Sequence, residues 1–314
     1  MKSNLVASVV ICTYNPRLDI LKKVVDALSI QTISPNNWEL IIVDNNSSPR
    51  LEINADFSWH PNSQIIFEPN MGLSNARIAG VKIVKTDLII FVDDDNVLTM
   101  NYLETAIKHS LNFPQIGCFG GKSLPQYEER PQDWFFTSGI NLGCQDFGEC
   151  QYISNFDKTK YLISDYPLFA PIGTGMVIRK KAFMAYFEEI ENSTIRLALG
   201  RKGKSLTSGE DNDIVLTTIK NGYEIGYFPD MVVTHLIPKN RFELQYLKRM
   251  AFESNRSWVK VLQIHQINPW RPISKIGLIL RLIRLYLRTK PWIDEKYQLE
   301  WQSNFGKMKG LSEL

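Results

Sequence analysis

The chain is poor in the residues that usually mark small metal or redox motifs, with four cysteines and four histidines in 314 residues. Cys12, Cys118, Cys144 and Cys150 show no C-x-x-C spacing, and Cys12 lies in an apolar run where a buried free thiol is usual. The expectation is a reducing, cytosolic compartment. No stretch reaches the roughly eighteen uncharged apolar residues of a membrane span. The amino-terminal MKSNLVASVVICTYN has a short apolar run, but Thr13, Tyr14 and Asn15 follow at once and no small-residue cleavage site precedes them. It reads as a first strand rather than a signal peptide. Internal repeats at solenoid or propeller periods are absent. So are a Gly-rich phosphate loop and a suitably placed lysine after the first strand, which argues against a nucleotidyltransferase.

What is present is unevenly charged. Residues 239–314 hold fifteen Lys or Arg against six Asp or Glu, a net of +9, so from an overall +3 the first 238 residues carry −6. A basic tail on a mildly acidic body points to an anionic surface as its partner. In IGLILRLIRLYLR, Ile276–Arg288, the cations Arg281, Arg284 and Arg288 share one helical face, while Ile279, Leu282, Ile283 and Leu287 contribute to a broad apolar arc. Such a basic amphipathic helix suits peripheral contact with a membrane, or packing on the body with its arginines extended to water. Nucleic acid is disfavoured as a partner, because the basic residues are not interleaved on a recognisable reading module.

The first hundred residues alternate in pattern. SVVICT from Ser8, ELIIVD from Glu39, QIIFE from Gln64 and DLIIFVD from Asp87 are strand-length runs rich in Ile and Val. Between them Leu18, Leu21, Val25 and Leu28, then Leu73, Ala76, Ala79 and Ile83, recur at helical spacing. The alternation predicts an α/β fold with right-handed crossovers and a mostly parallel sheet flanked by helices. Further helices are predicted over Asn101–Asn112, Lys181–Ile190 and Asp211–Lys220. IGCFGG from Ile116 predicts a strand ending in glycines, GTGMVIRK from Gly173 restores regular pattern, and YEIGYF and MVVTH predict two separate strands. Residues 122–170, rich in aromatics, Gly and Pro, read as a binding loop or lid, with a surface excursion as the plainer alternative. Residues 198–209 read as a mobile loop. From Arg241 long helices take over, so the expected division is a body of 1–238 and a helical extension of 239–314.

The most informative stretch is DLIIFVDDD, where a buried-strand pattern ends in Asp93, Asp94 and Asp95. Carboxylates at the C-terminal end of such a strand lie where open α/β sheets bind ligands. Their mutual repulsion must be offset by water, by hydrogen-bond donors or by a hard cation such as Mg²⁺ or Mn²⁺. A solvated acidic turn is the plainer alternative. Thr13, Tyr14, Asn15 and Pro16 end the first strand, where a loop entering a helix presents backbone N–H groups and an aromatic face to a base or phosphate. Asp44 ends the second strand within DNNSS, which also suits an Asx turn. Asn75 and Arg77 fall in the first turns of a helix, and Glu210 and Asp211 stand at a helix start, where an N-cap would explain one of them.

Taken in order, VVICTYNP, VDNNSS, NMGLSNARIAG, FVDDDN, GTGMVIRK, GEDNDIVLTTIKNGYEI and HLIP resemble the landmarks of glycosyltransferase family 2, the inverting enzymes of the GT-A fold, over about residues 7–238. The tail is similar, more weakly, to that of some polysaccharide-assembly members. The resemblance implies a Rossmann-like GT-A sheet, a nucleotide-diphosphate-sugar donor with UDP foremost, Mn²⁺ or Mg²⁺, and hexosyl transfer with inversion. The implied acceptor is a hydroxyl of a glycan or lipid-linked glycan in polysaccharide biosynthesis, at a cytoplasmic membrane face. It further implies that Asp44 hydrogen-bonds the base, commonly uracil, and that Arg77 faces the diphosphate or base. Asp93 would lie on the ribose and metal side and Asp95 on the metal, with Asp94 taking the ribose contact if the motif is aligned one residue along. By the same resemblance His235 completes the metal shell, Asp211 is the preferred base, and Glu210 is the alternative base or an acceptor-orienting partner. Asp213 reads as structural. A protein that keeps the fold but only binds, tethered by its basic tail, is the other class these residues allow.

Overall fold

The computed structural model of the protein describes residues 5–51, 57–154 and 166–314, so residues 155–165 of the predicted binding loop lie outside the described residues. The first four strands are β1 (Ala7–Thr13), β2 (Trp38–Asp44), β3 (Ser63–Phe67) and β4 (Leu88–Asp93). Every residue of β1 and β2 is buried, as a strand covered on both faces requires. Because successive strand side chains point to opposite faces, the runs divide between two apolar layers. Val9, Ile11, Leu40, Ile42, Ile90 and Val92 enter one layer, with Leu21 and Val24 of α1 (Leu18–Ser29) and Leu103 of α3 (Tyr102–Asn112). Val10, Ile41, Val43, Ile89 and Phe91 enter the other, with Ala76 of α2 (Leu73–Ile83), Phe183 of α5 (Lys180–Ile190) and Ile214 of α7 (Glu210–Lys220).

The order β3-β2-β1-β4 is parallel throughout. Beyond β4 the sheet is mixed, continuing through β8 (Val177–Arg179), β6 (Ile116–Tyr127), β9 (Glu224–Ile237) and β5 (Asn96–Leu98). With β7 (Tyr152–Ile153) paired to β9, the described residues form nine strands. Two sequence expectations change here. The strand from Ile116 does not stop at its glycines but runs on to Tyr127, and the two strands expected at YEIGYF and MVVTH are one, β9. A register shift near Gly121, opposite which residues 228–231 are unpaired with β6, lets β9 resume its pairing beyond Pro229 and Asp230. Two short helices, α4 (Asp133–Phe136) and α6 (Thr194–Leu197), complete the body.

Three helices follow: α8 (Leu244–Ile264), α9 (Lys275–Thr289) and α10 (Glu295–Leu311). Leu247 of α8 packs with Phe135, Leu142 and Ile237, and Val261 with Leu199 and Leu216. In α9, Leu285 and Thr289 are buried while Ile276, Ile279, Leu280, Ile283 and Leu287 are 57–73% exposed. Packing against α10 and its neighbours in the carboxyl-terminal region therefore accounts for one face of this helix and leaves most of its predicted apolar arc in solvent.

A buried polar link ties α8 to α7. Asp213, fully buried, accepts from Arg196 Nε at 2.9 Å and Arg196 Nη2 at 2.8 Å, and its Oδ1 lies 2.7 Å from His265 Nε2. Arg196 also donates to Thr217 and Glu189. Asp213 is thus a structural group, as expected, and it fixes the helix that begins with Glu210 and Asp211. Removing one partner of a buried ion pair strands the other charge, so Arg196→Met should lower unfolding free energy by about 3–5 kcal/mol in urea titrations at neutral pH. A loss below about 1 kcal/mol would mark the pair as energetically equivalent to an exposed one.

Candidate active site

Strands β1 and β4 end side by side, with Cys12 in register with Asp93. After Asp94 and Asp95 the chain turns straight into β5, where Asn96 pairs with His235 of β9. This turn places all three carboxylates at the C-terminal ends of the parallel strands and brings His235 to them. Asp95 is buried: its Oδ1 accepts from Asn96 Nδ2 at 2.9 Å, and its Oδ2 lies 3.4 Å from His235 Nε2 and 3.5 Å from Arg241 Nη2. Burial alone would raise its pKa, but His235 and Arg241 outweigh burial and hold the carboxyl below its ordinary value. Asp94 accepts a hydrogen bond from the Thr13 hydroxyl. Burial and the neighbouring Asp95 charge nonetheless push Asp94 up to about 7. For His235, burial opposes protonation, yet Asp95 on one side and Cys144, whose Sγ lies 3.8 Å from Nδ1, raise it to about 10.

Asp93 faces a different cation. Its Oδ1 lies 3.7 Å from Arg77 Nη2, and Arg77 Nη1 lies 3.4 Å from Glu210 Oε1. Arg77 is 2% exposed, with its guanidinium carbon 5.1 Å from the centre of the Phe91 ring. It is therefore not a surface arginine but a buried cation shared by β4 and the first residue of α7. Glu210 is 3% exposed and, among the described residues, its carboxylate makes no hydrogen bond of good geometry, with only a weak interaction from the Ser74 hydroxyl. Burial lifts it to about 7, against the Arg77 charge.

Asp211 is only half-buried. Its Oδ2 accepts from the Gly173 N–H at 3.3 Å and its Oδ1 from the Asn212 N–H at 2.9 Å. A Cβ on Gly173 would stand 2.9 Å from Arg77 Nη2, so the bare backbone of GTG fits between Arg77 and Asp211. Gly200 does the same above Ser74 and Glu210, where a Cβ would lie 2.5 Å from Ser74 Oγ and 2.7 Å from Glu210 Oε2. The 198–209 loop is thereby tied to the site, and the Arg201 carbonyl accepts the Leu73 N–H at the start of α2.

The remaining predicted residues form the rim. Asp44 is 2% exposed and accepts from the Ser47 N–H at 2.9 Å and the Leu51 N–H at 3.0 Å, so its carboxylate fixes the loop after β2 through residues three and seven positions on rather than closing an Asx turn. Asn15, at φ 48°, ties its loop to the next, its Oδ1 accepting from the Ser48 N–H and its own N–H donating to Ser47 Oγ. Tyr14 is 40% exposed beside it, followed by Pro16. Asn75 donates to the Met71 carbonyl at 3.3 Å in the first turn of α2. Sequence reasoning missed Arg241 and Arg201, whose charge also acts on Asp93 and Asp95. The available signal was position: Arg241 follows His235 by six residues, in the segment that leaves β9.

Among the described residues, no group of three or more His, Cys, Asp or Glu side chains is arranged to hold a metal by itself. The donors present suit a hard divalent ion that takes its other ligands from a substrate diphosphate, provided that His235 gives up the proton Asp95 holds on it as the ion binds. Asp95 Oδ2 and His235 Nε2 are 3.4 Å apart, close to the roughly 3 Å between adjacent ligands on an octahedral ion with bonds of about 2.1 Å.

Comparison with known proteins bears on the fold and the family. S. aureus TarS, residues 1–349 in complex with UDP, superposes with a TM-score of 0.54 at 15% identity over 98% of this chain and 89% of that one. The sheet and its flanking helices are those of a GT-A glycosyltransferase. The model of the glycosyl transferase family 2 matches residues 8–187, more than half of the chain, and the protein belongs to that family. The glucosyl-dolichyl phosphate glucuronosyltransferase of Haloferax volcanii is 22% identical over 78% of this chain and 74% of its own length. The N-acetylglucosaminyltransferase of Rhizobium meliloti is 22% identical over 73% of this chain, which spans about half (51%) of that relative.

The buried Glu210 has a pH signature. With a folded pKa of about 7 against an ordinary 4.5, it favours the folded state fully below about pH 4.5, and this contribution is lost as pH rises through 7. Glu210→Gln should therefore gain melting temperature relative to the parent as pH goes from 4.5 to 8. A constant difference between the two proteins across that range would contradict the assignment.

Proposed function

We propose that the protein transfers a hexose-type sugar, with inversion, from a nucleotide-diphosphate donor, UDP-sugar foremost, to a hydroxyl of a glycan or lipid-linked acceptor. The observation that carries this reading is the convergence of Asp93–Asp95, Arg77 and Glu210–Asp211 from three separate segments on one cluster at the strand ends. The UDP bound to the similarly folded TarS supports the choice of nucleotide, and the lipid-linked glycan in the name of the Haloferax relative supports the acceptor class.

Inversion requires a base on the face opposite the leaving group, to accept the acceptor's hydroxyl proton as the oxygen attacks the anomeric carbon. Asp211 fits: it is half-buried, and the Gly173 and Asn212 amides orient it while each takes up only one of the two lone pairs on its oxygen. Glu210 is better placed to hold Arg77 than to meet a substrate. The departing diphosphate develops negative charge, and Arg201 and Arg241 bring positive charge to that end of the sheet. Asp95 and His235, with Asp93 beside them, would hold Mn²⁺ or Mg²⁺, which supplies further charge stabilisation to the leaving group when bound. Tyr14 and the loop anchored by Asp44 form the base-binding rim. The exposed apolar face of α9 supports a membrane-surface location, and no helix among the described residues is long and apolar enough to cross a membrane.

Replacing a general base typically removes about 10²–10⁴-fold in rate. Asp211→Asn should lower kcat for sugar transfer by that factor while UDP and Mn²⁺ binding, followed by calorimetry, stays at the parent level. Turnover retained in this variant would place the base elsewhere.

A further inference from the structure

The segment after β9 forms a solvent-open cavity of about 360 Å³ whose lining includes Trp270, Arg271, Arg281, Asn304, Lys307 and Met308. Three cations line it and no carboxylate does. Among the described residues none of the three is ion-paired, whereas Glu313 of the same helical region is engaged by Arg256, Lys260 and Lys309. Lys307 is half-buried with its Nζ 3.5 Å from the centre of the Trp270 ring, which holds the ammonium in place without neutralising it. Arg271 and Arg281 are exposed beside it, and three positive charges converging on one concave site call for an anion.

The cavity also borders an apolar surface. At about 100° per residue, Ile276, Ile279, Leu280, Ile283 and Leu287 form one stripe of α9, opposite the buried Leu285 and Thr289. Arg281, Arg284 and Arg288 follow one border of that stripe, and Arg281 also lines the cavity. Trp292 and Ile293, both 56% exposed, extend the apolar surface just past the helix end. A ligand that satisfies both features carries a phosphate joined to a hydrocarbon. We propose that this cavity binds the phosphate headgroup of an anionic phospholipid in a bilayer surface, with the α9 stripe lying at the acyl boundary. The three cations would meet the phosphate oxygens, Asn304 would donate a neutral hydrogen bond, and Trp270 would sit at headgroup depth. This deepens, and rests on, the reading of α9 as the membrane-facing helix.

The test is cosedimentation of the full chain with phosphatidylcholine vesicles, with and without phosphatidylglycerol. Removing a cation near an anionic membrane costs roughly fivefold in affinity whatever its position. The informative comparison is therefore Arg271→Ala/Lys307→Ala against Arg284→Ala/Arg288→Ala, which lose the same charge. The cavity pair should weaken binding to the anionic vesicles at least tenfold more than the control pair, with unchanged melting temperatures. Equal losses in the two pairs would overturn the cavity site while leaving α9 as a membrane helix. Failure of the parent protein to bind either vesicle, or full binding by Ile279→Glu/Ile283→Glu, would overturn the α9 reading and the headgroup site with it. Calorimetry with inorganic phosphate closes the remaining route: binding lost in the cavity pair, but without vesicle binding by the parent, would make this a free-anion site and refute the lipid assignment.

Discussion

One buried guanidinium organises this site. Arg77 leaves α2 and lies between a carboxylate that ends β4 and another that starts α7, so a single cation joins two halves of the sheet far apart in sequence. Each of these groups is costly to bury alone, and together they are tolerable because their charges oppose. The arrangement also separates the roles of two adjacent acids. Glu210 turns inward to Arg77 and loses its accessibility, while Asp211, one residue on and about 100° around the helix, faces the open side and the Gly173 amide.

The same logic of distributed compensation applies to the aspartate triplet. Asp93 is offset by Arg77, Asp94 by the Thr13 hydroxyl, and Asp95 by His235 and Arg241, so each carboxylate has its own partner from a different segment. The cluster is not a solvated acidic turn. Its charges are held in a protein environment that acts on each differently: burial raises Asp93 and Asp94, while His235 and Arg241 hold Asp95 below its ordinary value.

The parallel half of the fold was legible because β1, β2 and β4 are buried on both faces, and a continuous apolar run leaves few alternatives. The mixed half was less so. β8 has three residues, and β9 carries Pro229 and Asp230 in its middle, residues that read as a break unless the bulge opposite Gly121 is known. In the site, the acids were legible because each ends a strand or starts a helix. Their cationic partners were not, since Arg241, Arg201 and Arg196 look like any other surface arginine until the fold brings an acid to them. Asp44 shows the converse limit: its residue type and position suit base recognition and a turn equally, and its contacts are those that hold the longer loop after β2.

The link from His265 to Asp213 bears on how this architecture can be rearranged. Because an imidazole at the end of α8 completes the charge environment of the helix bearing Asp211, the carboxyl-terminal segment is wired into the body rather than appended to it. Grafting that segment from a relative to alter where the enzyme works would import a foreign neighbour for a buried carboxylate. A chimera would have to carry Arg196, Asp213 and His265 together as one inherited unit.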